Sequence, residues 1–319
     1  MSEMRVLVTG ASGFIGEALV FRLLLDKKII PIAALRKSSR LHGLCPTVFL
    51  DLNQTTSLPA LNNVYAVVHA AARVHVMNET VVDALEEFRN VNVRGTIKLA
   101  QHAAASGVKR FIFISSIKVN GERTRRGKPF LANDRVDPVD PYAISKHEAE
   151  EQLKLLGQES GMEIVIVRPP LVYGPGVKAN FQNMLRWLHR NIPLPLGTID
   201  NRRSLVSIGN LVDFLVVCID HPVASNNTFL VSDGEDMSTS QLLRRLAIGM
   251  DKPARLFPMP FLLLRLMALL VGKKAVASRL GDSLQVDIYK NQELLGWVPP
   301  VSVDKSLRQT ALHFLEKRK

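Results

Sequence analysis

The junction between the first apolar run and the first helical pattern constrains the fold of this chain most strongly. It reads MRVLVTGASGFIG at residues 4–16, where Gly10, Gly13 and Gly16 close the apolar run and open the helix. Glycines here let the backbone come close to a ligand, and the free N–H groups of a helix N-terminus favour an anion. The junction therefore predicts a strand–turn–helix unit that holds a diphosphate, although its GxxGxxG spacing differs by one residue from the usual dinucleotide fingerprint.

Short β-branched runs alternate with longer helical patterns through the first half of the chain. The runs predict strands near 4–9, 29–34, 64–69, 109–115 and 163–167, and the patterns predict helices near 14–26, 83–106 and 141–160. This alternation is typical of βαβ units, so we predict an α/β fold built on a parallel sheet. Proline and glycine become frequent after about residue 170, which predicts a second, less regular lobe.

The composition narrows the compartment and the possible partners. The 319 residues, 47% of them hydrophobic, suffice for one large or two smaller domains. Cys45 and Cys218 lie far apart, so neither a disulfide framework nor a metal site is predicted, and the first strand begins without the pattern of a signal peptide. We expect a cytoplasmic protein. The net charge of +12 comes from scattered basic groups without a nucleic-acid-binding motif, so no nucleic-acid partner is expected, and a minority of them suits a phosphate-bearing ligand.

One apolar stretch, FPMPFLLLRLMALLVGKK at residues 257–274, raises the question of membrane contact. Its uninterrupted helical portion is far shorter than the roughly 20 apolar residues that a membrane span requires, and Arg265 lies in its middle. We therefore predict no transmembrane helix. Burial in the second lobe is the leading interpretation, and peripheral contact with a membrane through this face is the alternative.

The segment YAISK places Tyr142 and Lys146 four residues apart, on one face of a predicted helix. A free tyrosine, with a pKa of about 10, is a poor base at neutral pH, and a neighbouring ammonium group favours its phenolate form. Ser116 lies 26 residues upstream, in SSIKVNG at the end of a predicted strand. Together the three side chains suit proton exchange with a bound hydroxyl or carbonyl group.

These motifs, in this order along the chain, resemble those of the extended short-chain dehydrogenases/reductases of the nucleotide-sugar epimerase/dehydratase family. The resemblance also rests on VVHAAA near residue 70, NVRGT at 92–96 and RPPLVYGPG at 168–176. It implies a Rossmann-type doubly wound parallel sheet with a smaller C-terminal substrate-binding lobe. The implied NAD(P)-binding domain spans 1–170 and the substrate lobe mainly 171–319, with segments near 204–231 returning to the Rossmann sheet.

The resemblance also implies the roles of individual residues. Ser116 would hydrogen-bond the reacting sugar oxygen, Tyr142 would exchange its proton, Lys146 would bind the nicotinamide ribose and tune Tyr142, and Asn92 would support the three. His69 is expected either to line the cofactor pocket or to pack at the end of its strand. The residues expected to contact the cofactor are Gly10, Ser12, Gly13, Phe14, Ile15, Gly16, Arg36, Lys37, Asp51, Leu52, Ala70, Ala71, Ala72, Tyr142, Lys146 and Pro169.

A UDP-linked sugar is the substrate class that the resemblance implies for the C-terminal half. Arginine suits this ligand because its planar guanidinium makes paired hydrogen bonds to phosphate oxygens. Relatives commonly form homodimers through the two helices that correspond to 83–106 and 141–160, so a homodimer is expected. The residues expected to contact the substrate are Ser116, Asn180, Phe181, Arg203, Arg279 and Asp282.

The choice between NAD and NADP depends on the end of the second predicted strand, IIPIAALRKSSR. An acidic residue there would bind both ribose hydroxyls of NAD and repel the additional phosphate of NADP. None is present, and Arg36, Lys37 and Arg40 suit a 2'-phosphate. The sequence therefore favours NADP over NAD, with use of both left open.

The residues around Ser116 bear on the reaction. Dehydratases of this family carry two acidic residues after the active serine or threonine, and here these positions hold Ile117 and Lys118, so 4,6-dehydration is disfavoured. Asn120 replaces the tyrosine of the usual VYG, which leaves the shape of the sugar pocket open. The role of Lys118 is also left open.

Two reactions remain, and the sequence favours the first. It is the reduction of UDP-2-acetamido-2,6-dideoxy-4-hexulose to a UDP-6-deoxy-N-acetylhexosamine of the UDP-N-acetylquinovosamine type, for surface polysaccharide synthesis. The second is 4-epimerisation of UDP-glucose or UDP-N-acetylglucosamine, or of a lipid-linked sugar. A reductase must exchange its spent cofactor in every turnover. The basic pair at Arg36 and Lys37 suits NADPH and therefore favours the reductase. A non-catalytic NAD(P)-sensing protein is the remote third alternative.

Overall fold

The computed structural model describes residues 4–53, 58–74, 84–270 and 281–318, and within them nine strands. A strand was predicted at five of these positions, and each is present within one residue of the predicted ends. The short strand β3 gave no periodic signal because three residues are too few for one. The strands are β1 Met4–Thr9, β2 Ile29–Leu35, β3 Thr47–Phe49, β4 Val64–His69, β5 Arg110–Ile114, β6 Glu163–Arg168, β7 Leu171–Tyr173, β8 Leu205–Ser207 and β9 Thr228–Leu230.

Ten α-helices are described, and two of them carry the motifs singled out in the sequence. Helix α1 follows the glycine-rich turn, and α4 begins at the tyrosine motif with Pro141 in its first turn. The helices are α1 Phe14–Asp26, α2 Ala84–Arg89, α3 Thr96–Ala105, α4 Pro141–Ser160, α5 Ala179–His189, α6 Ile208–Asp220, α7 Thr239–Gly249, α8 Phe261–Leu270, α9 Tyr289–Leu295 and α10 Val303–Glu316.

Seven of the strands form one parallel sheet in the order β3-β2-β1-β4-β5-β6-β9. The chain runs outward from β1 to β3 and then returns to add β4 on the other side of β1. This order confirms the predicted Rossmann-type α/β fold. It also locates a crevice at the carboxyl ends of β1 and β4, where the strand order reverses and where open sheets of this kind bind their ligands.

Two apolar cores cover the two faces of the sheet. One contains side chains of α1 and α6, and the other contains side chains of α3 and α4. Strands buried on both faces have continuous apolar sequences, and all five residues of β5, RFIFI, are buried. The sheet is therefore a rigid base from which the strand ends present polar residues.

The second lobe has its own core and its own small sheet. Strands β7 and β8 pair in parallel, and α5, α7 and α10 pack around side chains such as Phe181, Leu243 and Leu307. The segment 204–231 is divided: β8 lies in the small sheet, whereas β9 pairs with β6 in the large one. After β6, the chain thus contributes residues to both lobes.

The predicted helix 83–106 is interrupted. Residues 90–95 form a π-helical turn between α2 and α3, and position 83 lies outside the described residues. A Cβ atom on Gly95 would lie 2.7 Å from the carbonyl oxygen of Leu52, so only glycine fits this close approach. Such turns often occur at functional sites, and this one carries Asn92.

The interpretation of residues 257–274 as buried is wrong for most of the side chains that the structure describes there. Leu262 is 69% exposed, Leu263 and Leu266 are each 50% exposed, and Leu264 packs on the core of the second lobe. Residues 271–274 lie outside the described residues. Among the described helices, none has both the length and the apolar character needed to cross a membrane.

Candidate active site

The glycine-rich turn after β1 brings three backbone segments into close contact. Gly10 has a φ of +63°, and a Cβ atom there would lie 2.8 Å from the backbone nitrogen of Ala71. A Cβ atom on Gly16 would lie 2.3 Å from the carbonyl oxygen of Gly10. Gly13 caps α1 without a side-chain hydrogen bond, so no side chain competes for the N–H groups of the first helical turn. Ser12 and Gly13 are exposed, and these N–H groups therefore suit a phosphate.

The loop after β4 is held beside this turn by Asn92. The Asn92 side chain accepts a hydrogen bond from the backbone nitrogen of Arg73 at 2.8 Å and donates one to the Arg73 carbonyl at 3.1 Å. It also donates to the Ser145 hydroxyl at 3.0 Å, and Ser145 precedes Lys146 on α4. Asn92 therefore fixes the loop that contains Ala70 to Ala72 relative to the helix that carries Tyr142 and Lys146.

His69 is packed in the structure. Its Nδ1 atom lies 2.8 Å from the Thr9 hydroxyl and its Nε2 atom 3.0 Å from the Thr96 hydroxyl, which links β1, β4 and α3. Thr9 also accepts a hydrogen bond from the backbone nitrogen of Ala71. Burial, together with the nearby Lys146 ammonium, lowers the pKa of His69 to about 3. The imidazole is neutral at pH 7, and its role is to hold the strand ends together.

We expect the free energy of unfolding to fall with decreasing pH because of His69. In the unfolded chain the imidazole binds a proton below its ordinary pKa of 6.5, whereas the folded chain resists protonation down to a pKa of about 3. Stability is therefore lost progressively below pH 6.5, by about 2 kcal/mol at pH 5 from this group. Urea unfolding at pH 7 and pH 5 measures the difference.

The variant His69→Gln should unfold with a smaller pH dependence than the wild type over this range. The exposed His42 offers a matched control, because His42→Gln also removes one imidazole but leaves the buried contacts of His69 in place. An equal pH dependence for the wild type and His69→Gln would show that the buried imidazole does not contribute in this way.

Lys146 reaches from α4 to the carboxyl end of β5. It is 2% exposed, its Nζ atom donates to the Ile114 carbonyl at 2.8 Å, and it lies 4.3 Å from the centre of the Phe113 ring. Burial lowers the pKa of Lys146 to about 7, and the Glu150 carboxylate opposes this effect. The ammonium group is thus held near the end of β5, where the chain continues into Ser115 and Ser116.

Tyr142 lies one turn before Lys146 on the same face of α4. Its ring packs edge-on against Phe88, and burial, with the Asp140 carboxylate, raises the pKa of its hydroxyl well above the ordinary value of 10. The hydroxyl is therefore protonated at neutral pH in the ligand-free protein. A cation brought close to it would favour the phenolate form.

Lys118 connects the Ser116 segment to the start of α4. Its ammonium group forms an ion pair with the carboxylate of Asp140, which caps α4 by accepting from the backbone nitrogen of Ala143 at 2.7 Å. The Ser116 hydroxyl accepts a hydrogen bond from the backbone nitrogen of Lys118 at 3.3 Å. Lys118 therefore links the strand end that presents Ser116 to the helix that presents Tyr142, which explains a residue whose role the sequence left open.

A buried ionic network lies under the site. Arg168 pairs with Glu150, with distances of 3.0 and 3.2 Å from its Nε atom to the two carboxylate oxygens, and it donates to the side-chain oxygen of Asn120 at 2.9 Å. Ser115 also donates to Glu150. Asn120 in turn donates to the Leu131 carbonyl at 3.1 Å. Sequence reasoning missed this network, although Glu150 stands four residues after Lys146 on one helix face.

The residues predicted to select the cofactor have different surroundings. Arg36 and Lys37 are exposed at the end of β2. Arg40 forms a bidentate ion pair with Glu17 of α1, with distances of 2.7 and 2.6 Å. Asp51 is half-buried and accepts from the backbone nitrogen of Asn53 at 3.0 Å. Of the three basic residues, Arg40 is thus already partnered.

The predicted substrate residues in the second lobe are partly brought together. Arg203 donates to the carbonyl oxygen of Asp282 at 3.4 Å, and Asn180 is exposed in the first turn of α5. The Phe181 ring is buried and stacks on Tyr173 with 5.5 Å between ring centres, so only its backbone can face a ligand. Arg279 lies outside the described residues.

Comparisons with known proteins identify the family of this chain and several of its relatives. A model of the NAD dependent epimerase/dehydratase family matches residues 6–232. The UDP-glucose 4-epimerase of Vibrio cholerae is 50% identical over 315 residues, which cover 98% of this chain and 95% of that protein. The N-acetyl-alpha-D-glucosaminyl-diphospho-ditrans,octacis-undecaprenol 4-epimerase of Escherichia coli O157:H7 is 25% identical over 96% of this chain and 93% of that protein.

Solved structures share the fold over nearly the whole chain. The UDP-glucose 4-epimerase of Thermotoga maritima, determined with UDP-glucose, superposes with a TM-score of 0.77 at 22% identity and covers 99% of this chain and 100% of that one. The UDP-glucuronic acid 4-epimerase of Bacillus cereus, in complex with NAD, has a TM-score of 0.79 at 19% identity and covers 98% and 97%. At these identities the likeness concerns the fold.

Proposed function

The chain is an enzyme that belongs to the NAD dependent epimerase/dehydratase family, and from this membership we propose that it is a 4-epimerase of a UDP-linked hexose. UDP-glucose and UDP-N-acetylglucosamine are the substrates that we propose first. The observation that carries the proposal is the near full-length likeness to the Vibrio cholerae relative, at 50% identity. The arrangement of Ser116, Tyr142 and Lys146 supports the same chemistry.

The glycine-rich turn fits the diphosphate of a nicotinamide dinucleotide. Side chains at Gly10 and Gly16 would collide with backbone, and the uncapped first turn of α1 offers N–H groups to phosphate oxygens. We propose that this turn, the loop at Ala70 to Ala72 and Lys146 hold the cofactor. When bound, the nicotinamide supplies reversible hydride transfer at the sugar C4 carbon.

The residues of the chain supply the proton transfers. We propose that Tyr142 takes the proton of the sugar 4-hydroxyl as it is oxidised and returns it when the new configuration forms. The Ser116 oxygen already accepts the Lys118 N–H, so the Ser116 proton is available to donate to the C4 oxygen. The Lys146 ammonium would lower the pKa of Tyr142 in the working enzyme.

The nucleoside diphosphate would extend towards the second lobe. We propose that Arg203, Asp282, Asn180 and the backbone of Phe181 contact it, and that Arg279 belongs to the same set. Arg203 and Asp282 support this proposal because the fold brings them together from positions 79 residues apart. We also propose a homodimer in which the segment from α2 to α3 and helix α4 of two copies pack against each other.

Lys118 and Asp140 should influence the pH dependence of turnover in opposite directions. The Asp140 carboxylate raises the pKa of Tyr142, and its ion pair with Lys118 offsets part of that effect. Lys118→Met removes the positive charge that offsets the Asp140 carboxylate in this ion pair, so the acidic limb of the kcat–pH profile should move to higher pH. Asp140→Asn removes the carboxylate charge and keeps a good N-cap, so the limb should move to lower pH.

A profile of kcat against pH for the two variants measures these shifts. The exposed ion pair between Lys154 and Glu151, on the same helix, offers a control, because Lys154→Met should leave the profile unchanged. Shifts in the same direction for Lys118→Met and Asp140→Asn would contradict the assignment.

The second candidate is the 4-keto reductase. The observation that favours it is the exposed pair Arg36 and Lys37 at the end of β2, where no acidic residue stands to repel a 2'-phosphate. A reductase must exchange its cofactor in each turnover, and a site that accepts NADPH suits this requirement. The pair Arg36 and Lys37 bears on the choice of cofactor and not on the sugar substrate, so the epimerase remains our first proposal.

One experiment separates the two candidates. The purified protein is incubated with UDP-glucose or UDP-N-acetylglucosamine, and separately with the 4-keto-6-deoxy derivative of UDP-N-acetylglucosamine plus NADPH or NADH. We expect conversion of a UDP-hexose to its 4-epimer without net consumption of cofactor, measured by chromatography and absorbance at 340 nm. Stoichiometric oxidation of NADPH with the keto sugar, and no epimer from either UDP-hexose, would replace the epimerase by the reductase.

A further inference from the structure

Helix α8 presents an apolar face to solvent. Leu262, Leu263, Leu266 and Leu269 are 69%, 50%, 50% and 45% exposed, whereas Leu264 packs on the core of the second lobe. At about 100° per residue, the four exposed leucines cover an arc of about 120° that points away from Leu264. The face of the helix that points to solvent is thus apolar, and Leu264 on the opposite face packs on the protein core.

Neighbouring residues extend this face into a larger patch. The chain from Trp187 to Leu194 runs beside the residues that precede α8, with hydrogen bonds from Leu194 to Arg255 at 2.9 Å and from Phe257 to Leu194 at 3.1 Å. Exposed aromatic and branched side chains project from both segments. The α8 patch consists of Trp187, Ile192, Phe257, Phe261, Leu262, Leu263, Leu266 and Leu269, each between 37% and 69% exposed. Scattered single apolar residues are ordinary on a protein surface, but a group of this size on neighbouring segments points to an interaction surface.

Basic residues border the α8 patch. Arg190 and Arg255 are exposed, and Lys252 donates to the carbonyl oxygen of His189 at 2.6 Å. Burial lowers the pKa of His189, and the cations of Lys252, Arg318 and Arg190, which lie near this side chain, lower it further. A groove of about 290 Å³ between α5 and α10 continues this border, and the described residues that line it include Lys178, Arg186, His313, Lys317 and Arg318 and no carboxylate.

We propose that the α8 patch docks on the surface of an anionic lipid bilayer. The exposed leucines and aromatic side chains would enter the boundary between headgroups and acyl chains, and the basic border would face lipid phosphates. A membrane span requires about 20 residues, and helix α8 has 10. In this arrangement the helix therefore lies parallel to the surface of the bilayer and does not cross it. A second copy of the chain is the less suitable occupant, since a symmetric contact would bring two basic borders together.

Co-sedimentation of the full chain with vesicles tests the proposal. We expect binding to vesicles that contain about a third phosphatidylglycerol, weaker binding to pure phosphatidylcholine, and loss of the difference in high salt. Leu262→Asn/Leu266→Asn should weaken binding at least about tenfold, because two apolar side chains are no longer transferred from water into the bilayer. Arg190→Gln/Arg255→Gln should weaken binding to the anionic vesicles specifically.

The matched control is Leu25→Asn, which removes a leucine that is 78% exposed on α1. It should bind vesicles like the wild type, and urea unfolding should show that all variants are folded. Failure of the wild type to sediment with anionic vesicles, or equal binding by Leu262→Asn/Leu266→Asn, would overturn the proposal. So would light scattering in which that variant alone lowers the oligomeric state, because the patch would then be a contact between copies. These outcomes are independent of the sugar substrate.

Discussion

Tyr142→Phe is expected to lower kcat by about 10³-fold or more, because a positioned acid–base group contributes about 10²–10⁴-fold. The substitution removes the exchangeable proton and keeps the ring, which packs against Phe88. Binding of NAD, measured by calorimetry, should therefore remain within a few-fold of the wild type.

Ser116→Ala should lower kcat by about 10²-fold, since it removes one hydrogen bond to the developing oxyanion.

The exposed Tyr289 provides the control for Tyr142→Phe. Tyr289→Phe removes a hydroxyl from a side chain that is 65% exposed and distant in sequence from the proposed proton-transfer residues, so its kcat should equal that of the wild type. If Tyr142→Phe retained nearly normal turnover, Tyr142 would not be the group that exchanges the proton. A parallel loss of NAD binding would instead indicate that the ring positions the cofactor.

Glu150→Gln is expected to destabilise the fold by about 3–5 kcal/mol. Glu150 is 0% exposed, and its removal leaves the Arg168 guanidinium buried without its ion-pair partner. The same change should also lower activity at neutral pH, because Glu150 opposes the effect of burial on Lys146 and a lower pKa would leave fewer Lys146 side chains protonated. Urea unfolding and kcat–pH profiles measure the two effects separately.

Glu148 gives a matched control on the same helix. It pairs with Arg89 at 2.6 Å, but the two side chains are 29% and 38% exposed. Solvent screens the charges of this partly exposed pair, so Glu148→Gln should change stability far less than Glu150→Gln. Equal losses for the two variants would mean that the buried pair has no special weight. The double change Glu150→Leu/Arg168→Met should cost less than the sum of the single changes, because neither charge is left alone.

The sequence alone determined the fold class and the local geometry of the central part of the candidate site. Continuous apolar strands alternating with helices predict a parallel sheet because both its faces must be buried, and the structure confirms this. The spacing of Tyr142 and Lys146 predicts that they share one helix face, and the glycines of the first turn predict a close backbone approach; both features are present. Such patterns are readable because each depends on local geometry that a few consecutive residues set.

Only the tertiary structure decided the contacts that join distant segments. The ion pairs Lys118–Asp140 and Glu150–Arg168 connect residues 22 and 18 positions apart, and no periodic pattern specifies such partners. The π-helical turn at Asn92 likewise depends on the close approach of Gly95 to Leu52, which lies in another loop. The exposure of α8 has the same origin: an apolar sequence predicts burial, but whether a leucine leaves water depends on which other elements pack over it.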